Sequence, residues 1–384
     1  MKCLLVMPRW SEHGSLLPPS GRPYLDLTLE CLGIGPVSVM EVDADEPFDP
    51  ADVPDKYKII LVQDHGRGSR LRRSLLSNLG LSLGLGGDES DRLKVLGART
   101  LTDRQGQATG FALERRGRMV AYFSHSVWTA RTSLVKMLRN FTGMEGGGGS
   151  RRNRETVCWM VEGAGEALEL GEHLVSDTFS LCKVRNLPNG DAGLLIPPIM
   201  GEEFKNRVRE RLGSRIHALA PRPVEEILGE RLLKTGLKVT TAESCTAGLI
   251  AARLTAVPGS SAYLGQGVVA YANEAKERLL KVDPSLLAAC GAVSPEVALA
   301  MARGAIQESG ADLAVAVTGI AGPDGATPEK PVGTVYLVVR DRHGQTLEHR
   351  GFYLGNRERV RWQASQTALH LLRRMVTAQG QEKS

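Results

Sequence analysis

The residues with reactive potential concentrate in the last third of the chain. The run Thr240-Thr241-Ala242-Glu243-Ser244-Cys245-Thr246-Ala247-Gly248 stands where a β-branched strand pattern gives way to a helical one. A serine at such a junction meets unpaired backbone N–H groups and the positive end of a helix dipole. Those donors can hold an oxyanion when the serine attacks a carbonyl. By position alone, Ser244 or Thr246 also reads as a helix N-cap. A nucleophilic serine needs a base. The histidines of this region, His343, His349 and His370, fall late, on expected strand or helix surfaces, so a serine–histidine–acid triad is poorly supported. Tyr271-Ala272-Asn273-Glu274-Ala275-Lys276 offers another base. A lysine held in an apolar pocket can lose its proton near neutral pH. Taken singly, Lys276 reads rather as a solvated helix lysine and Tyr271 as a packed aromatic with a satisfied hydroxyl. Cys245 at a helix start would have a lowered pKa, but no histidine supports it and it ranks behind Ser244.

Two further stretches suit a phosphorylated ligand. Val317-Thr318-Gly319-Ile320-Ala321-Gly322-Pro323-Asp324-Gly325 follows the most apolar strand pattern of residues 223–384. Ligands of open α/β sheets bind at the carboxyl ends of strands, and glycines there let the backbone approach a phosphate or ribose. A glycine loop alone is often only a turn. Gly355-Asn356-Arg357-Glu358-Arg359-Val360-Arg361 opens the last helix with arginine forks that fit phosphate, or simply with a charged helix face.

The elements that must position these residues alternate between strand and helix. Residues 223–384 read as helix Val224–Thr235, strand Leu237–Thr241, helix Cys245–Leu254, strand Gly267–Tyr271 and helix Asn273–Leu280. Helix Pro295–Glu308 follows, stopped by Gly310, then the buried strand Asp312–Thr318, strands Gly333–Val339 and Thr346–Tyr353, and the amphipathic helix Arg357–Met375. Residues 1–145 also alternate, with strands Lys2–Met7 and Lys58–Gln63 and helices Tyr24–Leu32 and Ser69–Leu79. Such alternation predicts α/β layers. Residues 146–222 open on Gly146-Gly147-Gly148-Gly149-Ser150 and Arg151-Arg152-Asn153-Arg154, a linker composition. A small α+β module follows, with strands Thr156–Val161 and Phe179–Val184 around a helix Glu166–Glu172. It ends at the proline-rich Ala220–Pro223.

The bulk numbers exclude several classes. At 384 residues the chain exceeds one ordinary domain, since about 100–200 residues per domain is usual. A net charge of +5 without a concentrated basic stripe, and aromatics at 5%, argue against a nucleic-acid partner. The six cysteines show neither CxxC nor Cys/His ligand spacing, so no structural zinc and no disulfide are expected. The N-terminal apolar run is too short for a signal or a span, which points to a cytoplasmic protein with no membrane partner.

Taken together, these stretches resemble the C-terminal domain of the CinA family, the nicotinamide-nucleotide amidases. The carrying motifs are Thr241–Thr246, Pro258-Gly-Ser-Ser261, the Tyr271–Lys276 stretch, Gly291-Ala-Val-Ser294, the Thr318–Pro323 loop and Lys330-Pro-Val-Gly-Thr334. The resemblance covers residues 223–384, with Ala247 standing where the family usually has glycine, a mild change if it lies on a helix. It implies hydrolysis of the carboxamide of nicotinamide mononucleotide to nicotinate mononucleotide and ammonia, with no metal and no cofactor. Ser244 would be the nucleophile and Lys276 its base, with Tyr271 assisting proton transfer or orienting the lysine. Thr246, Ser260, Ser261, Thr318, Gly319, Ala321, Gly322 and Arg357 would contact the nucleotide. A homodimer is expected on the same ground. The other reading is a non-enzymatic scaffold or regulator, associated with competence or DNA damage, that binds a nucleotide.

Full-length members of that family begin with a molybdopterin-binding-like α/β domain linked to pyrophosphatase activity on ADP-ribose. Gln107–Glu114 with Gly117–Val120 resembles a late segment of it. The stretch after Lys58–Gln63 reads Asp64-His65-Gly66-Arg67-Gly68 where the family's glycine-rich loop belongs. Residues 1–145 are therefore expected to keep that fold in degenerate form, without the pyrophosphatase chemistry.

Overall fold

The computed structural model describes residues 1–8, 22–35, 37–42, 47–63, 70–84, 94–102, 106–123, 131–141, 156–163, 182–187 and 190–382. The expected helix over 166–172 and the loop over 64–68 lie outside these residues. So do the glycine run and the arginine cluster that follows it. The fold is mixed α/β, with three principal sheets.

In chain order the first set comprises β1 (Lys2–Pro8), α1 (Arg22–Cys31), β2 (Val37–Val42), β3 (Tyr57–Gln63), α2 (Arg70–Asn78), β4 (Ser82–Gly84), β5 (Lys94–Leu96), β6 (Arg99–Thr102), β7 (Ala108–Arg115), β8 (Arg118–Phe123) and α3 (Arg131–Phe141). Six strands make one sheet, order β2-β1-β3-β8-β7-β6, with β4 and β5 as a separate pair. β2, β1, β3 and β8 run parallel, and β7 and β6 are antiparallel additions. Alternate residues of β1 serve opposite faces. Cys3 and Leu5 meet Leu25 and Leu29 of α1, while Leu4 and Val6 meet Leu71 and Leu75 of α2. Burial on both faces is why β1 and β3 read as continuous apolar runs.

The second set is β9 (Val157–Val161), β10 (Lys183–Asn186), β11 (Ala192–Ile196), α4 (Glu202–Leu212) and β12 (Ile216–Ala218). Its antiparallel sheet has the order β10-β11-β9-β12. One face packs Trp159 and Leu194 under Phe204 and Val208 of α4. The other packs Cys158, Met160 and Leu195 against Leu27 of α1 and Ile227 of the helix that follows.

The third set is α5 (Val224–Thr235), β13 (Val239–Glu243), α6 (Leu249–Thr255), β14 (Leu264–Val269), α7 (Asn273–Leu280), α8 (Pro284–Cys290), α9 (Pro295–Ser309), β15 (Leu313–Gly319), β16 (Thr334–Asp341), β17 (Thr346–Phe352) and α10 (Arg357–Glu382). The sheet order is β14-β13-β15-β16-β17, parallel across β14, β13 and β15 and antiparallel beyond. Leu313, Val315 and Val317 face α5, α6 and α10, and Ala314 and Ala316 face α9. The small side chains of the second face let α9 lie close. Gly304 of α9 goes further, because a Cβ there would stand 1.7 Å from the Leu280 carbonyl oxygen. That contact fixes the carboxyl end of α7, the helix that carries Lys276. Ser294 caps α9 by accepting from Val297 N at 3.3 Å, Pro295 opens it, and Gly310 closes it at φ 68°. No described helix is long and apolar enough to cross a membrane.

Candidate active site

The carboxyl ends of β13, β14 and β15 converge on one edge of the third sheet, and β13 is where the strand order reverses. β13 continues into Ser244, β14 leads to Tyr271, and β15 leads to Ile320-Ala321-Gly322. This is the crevice in which open α/β sheets take their ligands.

Ser244 is buried, its N–H donating to the Val317 carbonyl at 2.9 Å. The helix expected over Cys245–Leu254 begins only at Leu249, and Ser244–Gly248 form a turn instead. Neither Ser244 nor Thr246 caps α6. The fully buried Glu243 carboxylate does, with Oε2 accepting from Ile250 N at 3.0 Å and Oε1 from Ala251 N at 2.9 Å. That cap was missed in the sequence because a glutamate at the end of an apolar strand carries no local N-cap spacing. It frees Ser244 from a capping role. The helix-end donors once assigned to an oxyanion are occupied by Glu243. The backbone N–H of Thr246, in the turn itself, has no acceptor among the described residues.

Ala247 lies in this turn and not on a helix, with φ 51°, followed by Gly248 at φ 89°. A left-handed alanine costs roughly 1–2 kcal/mol, so a change that looked mild on a helix is a strained one in the turn.

Lys276 is 1% exposed, on the second turn of α7. Its Nζ donates to the Tyr271 carbonyl oxygen at 3.0 Å and joins no ion pair among the described residues. Burial holds the ammonium below the ordinary lysine range, against the opposing pull of Cys245 and Glu274. Burial likewise pushes the Cys245 thiol up to about 12, despite nearby Arg361 and Arg357. The cysteine is thus an uncharged thiol at neutral pH and a poor nucleophile. No hydrogen bond joins Ser244 Oγ to Lys276 Nζ among the described residues.

Tyr271 lies beyond the end of β14 and is 56% exposed, so it neither ends the strand nor packs into a core. Its hydroxyl accepts from Arg357 Nη2 at 2.7 Å, and Arg357 Nη1 donates to the Gly322 carbonyl at 2.8 Å. One guanidinium therefore clamps Tyr271 to the glycine loop. Tyr271 reaches Lys276 through its backbone carbonyl, while its hydroxyl meets Arg357. Arg361 Nη2 reaches the Thr246 carbonyl at 3.0 Å, tying the Ser244 turn to the same helix. Thr246 Oγ1 is buried without a hydrogen-bond partner among the described residues. Thr318 Oγ1 donates to Ala292 O at 2.7 Å. Gly319 ends β15, and Ala321 is buried in the loop beyond it.

Ser260 and Ser261 are not brought to this edge. They precede β14, and since Val239 pairs with Leu264 and Glu243 with Val269, they sit at the amino end of the parallel strands. Gly267 and the strand residues between separate them from Ser244. His370, expected on a surface, is 1% exposed.

The site and its sheet define an open α/β fold with a crevice at the strand ends. Residues 221–376 match the family described as the CinA C-terminal domain, and this part of the chain belongs to the CinA family. A putative competence-damage inducible protein of Moorella thermoacetica is 50% identical over 172 residues, which are 45% of this chain and 41% of the relative. A CinA-like protein of Mycobacterium tuberculosis is 52% identical over 170 residues, 44% of this chain and 39% of its own. The chain thus matches these curated relatives over well under half of their length. The crystal structure of the competence/damage-inducible protein CihA from Agrobacterium tumefaciens is 45% identical, spanning 41% of this chain and 96% of that one, at a TM-score of 0.38.

Proposed function

We propose that the C-terminal sheet carries a nicotinamide-nucleotide amidase that converts nicotinamide mononucleotide to nicotinate mononucleotide and ammonia. The observation that carries the reading is Lys276: a buried lysine whose one hydrogen bond among the described residues goes to a carbonyl, close to the Ser244–Cys245 turn. A cell of the fold that needed only stability would place an apolar residue there, because burying an unpaired ammonium is costly.

In this scheme neutral Lys276 Nζ exchanges the Tyr271 carbonyl for Ser244 Oγ as substrate enters. It takes the hydroxyl proton while Oγ attacks the carboxamide carbon. The Thr246 N–H, without an acceptor among the described residues, is a donor for the developing oxyanion. Collapse expels ammonia, which leaves with the proton held by Lys276. Water, deprotonated by Lys276, then cleaves the ester and yields the carboxylate. Arg357, Gly319 and Gly322 suit the ribose phosphate, since Arg357 keeps further donors beyond its two bonds. Tyr271 is a positioning residue, holding Lys276 by its backbone and Arg357 by its hydroxyl. A homodimer and a cytoplasmic location belong to the same proposal. The N-terminal sheet is proposed to keep a molybdopterin-binding-like fold without pyrophosphatase chemistry.

The test is ammonia release from nicotinamide mononucleotide by the full chain without added metal. Release by the wild type and none by Ser244→Ala supports the assignment. Undiminished release by Ser244→Ala sinks the mechanism, and tight nucleotide binding without release favours a binding protein.

A further inference from the structure

We propose that Asp191, His217 and His370 form a binding site for a zinc-class divalent transition-metal ion that ties the middle sheet to the last helix. The three side chains are buried, and one ligand atom from each lies within 4.8 Å of the others. They come from three places: the residue before β11, the middle of β12, and the third quarter of α10. Nothing in the Ser244 site uses them.

The separations fit coordination. A tetrahedral ion with bonds of about 2.0–2.1 Å holds its ligand atoms about 3.3 Å apart. His370 Nε2 lies 2.9 Å from Asp191 Oδ1, and His217 Nε2 lies 3.7 Å from Asp191 Oδ2. The two distances run to the two oxygens of one carboxylate, and one ligand atom from each residue lies within 4.8 Å of the others. Two imidazoles and a carboxylate select zinc, copper, nickel or cobalt over magnesium and calcium, which prefer oxygen.

A purely hydrogen-bonded cluster explains less. It accounts for Asp191, which takes His370 Nε2 and also accepts from Gln366 Nε2 at 2.7 Å. It leaves His217 unexplained. That side chain is 0% exposed, and neither ring nitrogen completes a hydrogen bond among the described residues. The Arg222 carbonyl favours the ring without reaching hydrogen-bond geometry.

The surroundings resemble those of metal sites. A metal-bound histidine usually turns its other nitrogen toward a carboxylate, and Glu162 Oε2 lies 3.7 Å from His370 Nδ1. The nearby cations are already engaged. Arg253 pairs with Glu225 at 2.6 Å and donates to Ser365 Oγ and Gln366 Oε1. Arg373 donates to the Ser214 carbonyl at 2.7 Å and reaches Glu162, and Arg374 pairs with Glu162 at 2.6 Å. A cavity of about 460 Å³, bounded in part by Asp191, His370 and His349, gives a fourth ligand such as water a route in.

The experiment strips the full-length protein with chelator and titrates it with Co²⁺, then with Zn²⁺. The expected result is one Co²⁺ per chain with the strong visible absorption of a four-coordinate site, displaced by Zn²⁺, and a metal-dependent rise in Tm. His217→Gln should weaken binding at least tenfold and abolish the rise in Tm. If that variant fails to fold, X-ray absorption of the wild-type Co²⁺ form decides, with two imidazole ligands expected. Failure of the stripped wild type to bind either ion overturns the proposal, as does unweakened binding by a folded His217→Gln protein or an absorption spectrum without imidazole ligation.

Discussion

Lys276 Nζ donates to the backbone carbonyl of Tyr271 at 3.0 Å, five residues earlier in the chain. A carbonyl holds an ammonium in place without neutralising it, so it opposes the downward pull of burial less than a carboxylate would. The lysine is thereby positioned, while burial holds its pKa below the ordinary lysine range.

Lys276→Met should separate activity from stability. Loss of a general base costs on the order of 10²–10⁴ in rate, while removing a buried, unpaired ammonium should stabilise the fold by about 1 kcal/mol near neutral pH. Rate and denaturant midpoint check the two effects. The pH dependence follows in sign. Lys276 titrates below 10.5 when folded and at its ordinary value when unfolded. Between those two points the unfolded chain holds more protons, so wild-type stability rises with pH, and the Met variant should lack that slope. Wild-type kcat should likewise rise with pH and level off before 10.5.

Tyr271→Phe and Arg357→Ala distinguish positioning from proton transfer. The phenylalanine keeps the carbonyl that holds Lys276 and loses only the hydroxyl that meets Arg357. Its kcat should stay within about tenfold of wild type, against the roughly 10²-fold or greater loss expected of a proton-transfer group. Arg357→Ala should raise KM for the nucleotide more than it lowers kcat. Steady-state kinetics on both variants provide the check.

Glu243→Ala should destabilise the C-terminal sheet by about 2–3 kcal/mol, because two N–H groups of α6 lose their acceptor in a buried place. Glu243→Gln, which keeps one acceptor oxygen, should cost less. Urea unfolding of both variants measures the difference.

The N-terminal sheet should show no turnover of ADP-ribose above background, even with added Mg²⁺. Chromatographic detection of AMP with excess protein tests this, and metal-dependent hydrolysis would show that the altered segment after β3 still supports the chemistry.

Local pattern carried a good part of the fold. The helices Val224–Thr235 and Asn273–Leu280 follow from apolar spacing, and Ser294, Pro295 and Gly310 mark both ends of α9. The Ser244 turn was misread as helix because Cys245, Thr246 and Ala247 carry no breaker, and what delays the helix is the left-handed pair Ala247–Gly248. Tyr271, Gly322 and Arg357 could be singled out by residue type, but their convergence on one guanidinium depends on strand order. The Asp191–His217–His370 cluster had no local signal at all. Its members are separated by more than a hundred residues at one step and meet only where α10 crosses the middle sheet.

The most direct test of the central claim is to quench the wild-type protein during turnover of nicotinamide mononucleotide and locate any acyl adduct by peptide mass spectrometry. The account predicts an adduct of the nicotinoyl nucleotide on Ser244, absent in Ser244→Ala. An adduct on the neighbouring Cys245, or turnover that persists in Ser244→Ala, would contradict it.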